Sequence, residues 1–372
     1  MMRVGITLTP GAQACAIVEK AETAGLDSAF FVDSPALFGD PYVSMGAAAA
    51  RTRRIVLGMG VTNPLTRSAP VTASVFASLN ALAPGRVVLG LGTGYTATRA
   101  MGQRSATLDE LERYVSALRR LLGGEVADVE LGGEATAVQF LNQTLPWVNL
   151  RDPIPIHVAA SGRRSLALAG RIADGVILGG AADPSVIESC WRYVAAGARL
   201  AGRNPQDVEL TVTASMYVTD RRPGFEELRD ALGPMSFVTA ATYGRLLASD
   251  DYVSPALRED LTRVGRAYEA HTAVDLDPRT AHLRRYRAHR RPLEPWQATL
   301  VTEAILGATT IAGTVEQCYE KIRNLERLGV RQLLAVTLPE NLEATVGALA
   351  REILPRLHAD QSRPSDCATP AA

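Results

Sequence analysis

The chain has 372 residues, with 39 Lys+Arg balanced by 39 Asp+Glu, a formal net charge of +0 and a hydrophobic content of 47%. This composition describes a folded globular protein rather than a disordered one, and zero net charge removes the long-range field that draws proteins onto nucleic acid or anionic membranes. The length fits two average domains or one expanded α/β barrel of ~250 residues or more.

Cysteine usage points the same way. Cys15, Cys190, Cys318 and Cys367 form no C-x-x-C pair, and none has a histidine at zinc-ligand spacing. The start, Met1 to Leu8, reads as a strand rather than a signal peptide, and no stretch approaches the ~18 apolar residues of a membrane span. The expectation is a cytoplasmic protein with no metal, no membrane partner and no nucleic-acid partner.

The elements follow in order. A β-branched run at 3–8 leads into a helix over 11–24, which places Ala14, Ile17, Val18, Ala21 and Ala24 on one face. Strands at 28–33 and 54–61 precede a helix from Pro70 to about Leu82, ended by Pro84-Gly85. A strand at 86–92 precedes a helix over 106–122, with Leu108, Leu111, Tyr114, Val115, Leu118 and Leu121 at helical spacing. Strands at 154–160, 175–179 and 208–218 alternate with helices over 163–172 and 184–202. The segment 221–313 breaks the rhythm; it reads as a mostly helical insertion packed over one end of the fold. A helix at 315–328, a strand at 330–337 and a helix at 340–357 complete the pattern, and Pro355 permits one final turn but little more. The polar tail 358–372 is expected to be disordered.

Runs such as Ile55-Val56-Leu57, Val87-Val88-Leu89 and Val176-Ile177-Leu178 suit parallel strands covered on both faces. The fold class is therefore α/β: a single (β/α)₈ TIM barrel over 1–357, with the helical insertion at about 221–313 between strands seven and eight. A doubly wound sheet would need G-x-G-x-x-G at its first strand–helix turn. That turn is Thr9-Pro10-Gly11-Ala12-Gln13, and the Gly-rich run Gly90-Leu91-Gly92-Thr93-Gly94 comes only after the fourth strand.

Barrel chemistry sits at the carboxyl ends of the strands. There the sequence delivers Thr7, Asp33 and Ser34, Gly60 to Asn63, Gly92 to Tyr95, Ala160 to Arg163, Gly179 and Gly180, Ser215 and Thr337. The set is rich in Gly, Ser and Thr and poor in titratable groups, with no Cys–His pair, carboxylate cluster or lysine. Side-chain acid–base or metal chemistry is a weak fit. Backbone amides and small residues suit a planar cofactor that brings its own chemistry.

Three stretches sharpen this: Leu57-Gly58-Met59-Gly60-Val61-Thr62-Asn63-Pro64-Leu65-Thr66-Arg67, Gly85-Arg86-Val87-Val88-Leu89-Gly90-Leu91-Gly92-Thr93-Gly94, and Ala173-Asp174-Gly175-Val176-Ile177. Together they resemble the bacterial luciferase-like family of flavin- and deazaflavin-dependent barrels. Within it they look most like the methylenetetrahydromethanopterin reductase branch, which uses coenzyme F420. The resemblance runs from Arg3 to about Leu357 and includes Ile311-Ala312-Gly313-Thr314-Val315-Glu316. It implies a homodimer that moves hydride between F420 and an organic substrate.

By resemblance, a cis peptide at Gly60–Val61 forms a bulge behind the cofactor ring, the alternative being a plain β-bulge at Gly60. Thr7, Asp33, Gly60, Val61, Gly92, Thr93, Gly94 and Thr98 are then candidates to hold the ring. Ala160, Ser161, Gly162, Arg163, Gly179 and Gly180 are candidates for its edge and phosphate, Ser161-Gly162-Arg163 by opening a helix whose first N–H groups can bind phosphate. These residues read equally as tight βα turns with Arg163 solvated. The deazaflavin branch usually has Asp-His where this chain has Asp33-Ser34, an acidic residue where Tyr95 stands, and Glu where Thr7 stands. Asp33, Ser34 and Tyr95 are the catalytic candidates, and solvent is the alternative proton source.

The insertion carries one charged run, His282-Leu283-Arg284-Arg285-Tyr286-Arg287-Ala288-His289-Arg290-Arg291. It reads either as a solvated helix face or as an anion site for the F420 phosphodiester and polyglutamate tail. Two functional alternatives stay open: an FMN-dependent monooxygenase of the same superfamily, and a non-catalytic cofactor-binding protein. A tailoring reductase acting on a carrier- or peptide-bound substrate is a further variant. His157 reads as a barrel-core histidine; Trp147, Trp191 and Trp296 as packing anchors, with Trp296 also a candidate to line a substrate pocket; Cys190 and Cys318 as buried small residues.

Overall fold

In a computed structural model of the chain, residues 2–247, 253–272, 277, 279–283, 292–337 and 341–361 are described. The run Arg284 to Arg291 and the tail from 362 to 372 lie outside the described residues.

Eight parallel strands close a barrel: β1 (Arg3–Leu8), β2 (Ser28–Phe31), β3 (Val56–Met59), β4 (Val87–Leu91), β7 (Ile156–Ala159), β8 (Gly175–Gly179), β9 (Glu209–Thr219) and β11 (Gln332–Val336). Pairing runs around that order, and β11 returns to β1 with Arg3 opposite Gln332. Each strand falls inside or within one residue of its sequence-predicted span, because a buried parallel strand is an unbroken apolar run that punctuation brackets on both sides.

Alternation sorts the side chains. Val4, Ile6 and Leu8 of β1 pack outward into the main core beneath the helices. Phe30, Val88, Ile177 and Leu334 fill the barrel's interior as a separate cluster, with Val56, Val61 and Ala159 against it. Burying each of these large side chains stabilises the fold by ~1.5–3 kcal/mol, so the barrel is a packed plug and not a pore.

Four features depart from the sequence expectations. First, the segment read as having little β pattern contains β10 (Thr310–Thr314), paired in parallel with Ser215–Thr219 of β9. β9 is eleven residues long, and β8 and β11 pair only with its lower part, Glu209–Ser215. β10 covers the edge left over, which would otherwise stay unpaired.

Second, β5 (Ala127–Leu131) and β6 (Glu134–Val138) form a surface hairpin that was not anticipated. Gly132 and Gly133 turn it with φ of 62 and 88. A Gly-Gly pair tolerates two positive φ angles in succession, as such a turn requires.

Third, helices Pro41–Arg51 and Tyr95–Ala100 were missed. The first carries a legible signal, with Asp40 capping the backbone N–H groups of Tyr42 (2.8 Å) and Val43 (3.3 Å) and Pro41 at its first position. Fourth, the last helix runs beyond 357, so residues 358–361 of the tail expected to be disordered are helical. A π-helical turn over Leu349–Ile353 precedes it, and helix Leu354–Gln361 starts just before the proline, where the missing N–H is least costly.

Between β9 and β10 the described residues form helices Phe225–Leu247, Pro255–Thr272, Pro295–Ala298 and Glu303–Thr309. Two contacts place this segment over the barrel's carboxyl end. Thr239 packs on Gly180, where an added Cβ would lie 2.5 Å from its methyl, and His282 packs on Gly102, where an added Cβ would lie 2.9 Å from its ring. Trp296 stacks on His271 at 3.7 Å and meets Phe237 edge-on at 5.4 Å, inside the helical segment. Trp191 is half-buried against the core, whereas Trp147 is 65% exposed and is not part of the packed core among the described residues. No helix among the described residues is long and apolar enough to cross a membrane.

Candidate active site at the barrel mouth

The site is built from the β3 end outward. Val56-Leu57-Gly58-Met59 runs into Gly60, and the Gly60–Val61 peptide is cis. The chain then stays beside β4, with Thr62 N–H donating to Gly90 O at 3.0 Å and Gly92 N–H to Thr62 O at 2.9 Å. Val61 fills the barrel interior in front of β4. At Gly90 an added Cβ would lie 1.9 Å from Met59 O and 2.9 Å from Val61 Cγ1, and at Gly92 3.0 Å from Val61 Cγ2. The glycines of the fourth strand are therefore what lets Val61 form a floor there.

Beyond it, Asn63 Oδ1 accepts from the N–H groups of Leu65 (3.0 Å) and Thr66 (3.1 Å), folding the loop into a shelf. Tyr114 fixes the shelf's far end, donating to Arg67 O at 3.0 Å, with the Thr72 hydroxyl 2.6 Å from its own. Burial pushes the Tyr114 phenol up to about 12.

Asp33 stands next to this shelf and is 5% exposed. Burial raises its pKa above the ordinary carboxylate value, and the nearby Asp40 carboxylate adds to the rise. The Thr62 and Tyr42 hydroxyls and the Arg67 guanidinium oppose it. Tyr42 donates to Thr62 Oγ1 at 3.1 Å, and burial raises its own pKa too. Arg67 lies over the Tyr42 ring at 4.1 Å and pairs with Asp40 at 2.7 Å, so its charge is held in place but largely answered. The outcome is a buried carboxyl that binds a proton more tightly than an exposed one.

The other predicted residues take varied positions. Thr7 is half-buried at the end of β1. Ser34 is buried, and its carbonyl accepts from the N–H groups of Leu37 and Phe38, both at 3.1 Å. Thr93 and Gly94 are half-buried in the turn after β4, and Gly94 has φ 78. Tyr95 begins the next helix with the Arg99 guanidinium 4.4 Å from its ring centroid. The Thr98 hydroxyl is committed to Gly94 O at 2.8 Å.

Ala160, Ser161 and Gly162 lead from β7 into helix Arg163–Ile172. There the Gly162 N–H already donates to Ser165 Oγ at 3.1 Å, and Arg163 is exposed beside the Tyr193 ring at 5.7 Å. Gly179 borders open space, while the Gly180 N–H donates to Thr213 Oγ1 at 3.0 Å. His157 is 3% exposed within the barrel, and burial lowers its pKa, as expected of a core histidine.

One signal at this end is visible only in three dimensions. Buried polar atoms without a hydrogen-bond partner gather here: Thr7 Oγ1, Asp33 Oδ2, Asn63 Nδ2, Thr66 Oγ1 and Ser105 Oγ. Native proteins leave few such atoms, because each costs ~1–3 kcal/mol. Together they offer a carboxylate acceptor, an amide donor and three hydroxyls able to do either. That is the complement of a heterocycle edge carrying both carbonyl and N–H groups, so the residues fit a flavin or deazaflavin ring. Asn63 was placed at the end of strand three without an assigned role, and Thr66, Ser105 and the supporting Tyr42 were not among the sequence candidates; Tyr42 in particular arrives from a helix rather than a strand end. Among the described residues no group of three or more His, Cys, Asp or Glu is placed to hold a metal ion.

Comparison with known proteins identifies the family and the fold. Residues 3–332 match the family described as Luciferase-like monooxygenase. The chain is 28% identical to a 5,10-methylenetetrahydromethanopterin reductase of Methanolobus tindarius, over 95% of this chain and 100% of that protein. It is 38% identical to an F420-dependent hydroxymycolic acid dehydrogenase of Mycobacterium tuberculosis, over 44% of this chain and 46% of that one. Among solved structures, the coenzyme F420-dependent tetrahydromethanopterin reductase of Methanopyrus kandleri superposes with a TM-score of 0.67 at 22% identity, covering 95% of this chain and 99% of that one.

Proposed function

From the premise that the chain belongs to the luciferase-like monooxygenase family, and is thus an oxidoreductase, we propose that it is F420-dependent and transfers hydride between the deazaflavin and an organic substrate. The observation that carries this reading is the group of five unpartnered polar atoms around a glycine-lined mouth. The F420-dependent dehydrogenase and tetrahydromethanopterin reductase among its relatives support F420 as the cofactor. When bound, F420 supplies or accepts a hydride.

The chain's own residues would do the rest. Asp33, Asn63 and Thr7 would meet the ring's polar edge, and Val61 would support its face. Gly92, Thr93 and Gly94 would allow close backbone approach. Ser161, Gly162 and Arg163, with Gly179 and Gly180, would accommodate the phosphate side. Asp33 would hold or release the proton that accompanies hydride transfer, since burial raises its pKa. Tyr95 is the competing donor.

Titrating purified protein with F420 and with FMN, each with and without O₂, tests the reading. Binding of F420 with hydride exchange is expected. Tight FMN binding and none of F420 would overturn it in favour of a monooxygenase, and F420 binding without turnover on any substrate would point to a non-catalytic binder. Tyr95→Phe with unchanged turnover would leave the proton to Asp33.

We also propose that the protein works as a homodimer on a small or carrier-bound substrate. Helices Pro41–Arg51 and Ala69–Leu82 expose Val43 (74%), Val71 (47%) and Leu82 (52%) beside an apolar groove formed by Tyr42, Val75 and Leu79. Isolated apolar side chains are ordinary, but a contiguous set on adjacent helices calls for a cover. Val43→Asp with Leu82→Asp should convert a dimer to a monomer in sedimentation velocity; unchanged mass would remove this face from the interface.

A further inference from the structure

Lysine is nearly absent from this chain: of 39 Lys+Arg residues only Lys20 and Lys321 are lysines. Their settings differ. Lys20 is exposed and ion-paired with Glu343 at 2.6 Å. Lys321 sits half-buried on helix Val315–Arg327, behind the loop that follows β8. Its ammonium donates to the carbonyl of Gly307 on helix Glu303–Thr309, its one hydrogen-bond acceptor among the described residues. The carboxylate that acts on it, Asp183, is engaged through one oxygen, Oδ1, which accepts from Ser185 N–H at 2.9 Å and Val186 N–H at 3.3 Å as the cap of helix Pro184–Leu200.

Two clefts share Lys321 as a wall. One, of about 480 Å³, opens between Ala182-Pro184 and the helix face carrying Glu316 and Glu320. The other, of about 310 Å³, is lined by Arg222, Phe225, Glu303 and Thr310. An ammonium withdrawn from water and answered by one neutral carbonyl loses its preference for the charged form. Burial accordingly pushes Lys321 down to about 8, with Asp183 and Cys318 acting in the opposite direction. Burial pushes the Cys318 thiol up to about 12, so it stays protonated and does not compete as a nucleophile.

We propose that Lys321 is an N-acylation site, taking an acyl group from an activated donor, an acyl phosphate or an acyl thioester, that enters one of these two clefts. The nitrogen lone pair attacks the acyl carbon and a C–N bond forms. The C–O bond to phosphate, or the C–S bond to the thiol, breaks and that group leaves. The ammonium gives one proton to water to free its lone pair, the acylated nitrogen gives a second to the departing phosphate or thiolate, and no electrons are exchanged. The product amide carries no charge, so acylation removes a positive charge near Asp183 and places an acyl group in the cleft beside Gly307. The assignment is independent of the F420 reading.

The test uses the full-length protein at pH 7.5 in two arms, one with acetyl phosphate and one with acetyl-coenzyme A, and reads occupancy at Lys321 and Lys20 by peptide mass mapping. The expected result is Lys321 acetylated at least ~10-fold faster than Lys20, with a rate that rises with pH and levels off above a midpoint near 8. Preference in one arm alone supports the site and identifies its donor. Equal or slower labelling of Lys321 in both arms overturns the proposal. So does a peptide that still gains the acetyl mass in Lys321→Arg, which keeps a donor near Gly307 but removes the amine.

Discussion

The two ends of the barrel treat polar side chains in opposite ways. At the amino end they find partners: Gln332 Nε2 donates to Ser28 Oγ at 2.6 Å, Arg3 pairs with Glu209, and Asp27 and Asp174 each accept a backbone N–H, from Val4 at 2.7 Å and Ile156 at 2.8 Å. At the carboxyl end Thr7, Asp33, Asn63, Thr66 and Ser105 each bury a polar atom without one. His157 Nδ1 is an exception inside the barrel, lying one residue from the start of β7. A fold that can satisfy its polar groups at one end and leaves them open at the other is holding those atoms for something other than itself.

Substitutions at the two ends should therefore change stability in opposite directions. The largest effect is expected from Gly5→Ala at the amino end, where a Cβ would lie 2.1 Å from Ser28 Oγ and 2.4 Å from Ser28 O. Overpacking against backbone should cost ~3 kcal/mol in urea unfolding; a loss under ~1 kcal/mol would show that this end is loosely packed. Ser28→Ala comes next: it strands the buried Gln332 amide and should cost ~1–3 kcal/mol.

Asp33→Asn tests the mouth through pH. Because burial raises the folded pKa of Asp33, the folded state holds a proton that the unfolded state releases near pH ~4. Stability contributed by the protonated form is full below that value and is lost as pH rises through the folded pKa. Asp33→Asn should remove that decline, so urea midpoints measured from pH 4 to 7 should fall less steeply than in wild type. An unchanged slope would mean that Asp33 is not the buried acid described here.

The smallest effect has the reversed sign. Thr7→Val removes an orphaned hydroxyl at constant shape and should leave stability unchanged or raise it by up to ~1 kcal/mol, while weakening cofactor affinity. A loss above ~1 kcal/mol would place Thr7 with the amino-end residues and dissolve the contrast.

How far the molecule could be read in advance follows the range of the forces involved. The barrel strands, helix Arg163–Ile172 and helix Ala69–Leu82 were legible because apolar periodicity, Pro at a first turn and Gly at an end are local signals. The Gly-Gly hairpin and the Asp40-Pro41 cap were equally local, and were passed over. β10 was not local: Thr310–Thr314 is a strand because β9 outruns its neighbours and leaves an edge to cover. The mouth divides the same way. Strand-end counting brought out Thr7, Asp33 and Gly92, but Tyr42 and Ser105 come from elements that the strand pattern does not register.

By itself, the sequence determined the alternation of strand and helix, the barrel, and the stock of small and hydroxyl residues that sends the hard chemistry to a cofactor. Each of these depends on residue type and on spacing of a few positions. Tertiary structure alone decided which polar atoms lack partners, that the pKa of Asp33 is raised, and that Lys321 rather than Lys20 is partly desolvated. Those are properties of solvent exclusion, set by what distant segments bring together; spacing along the chain carries no record of them.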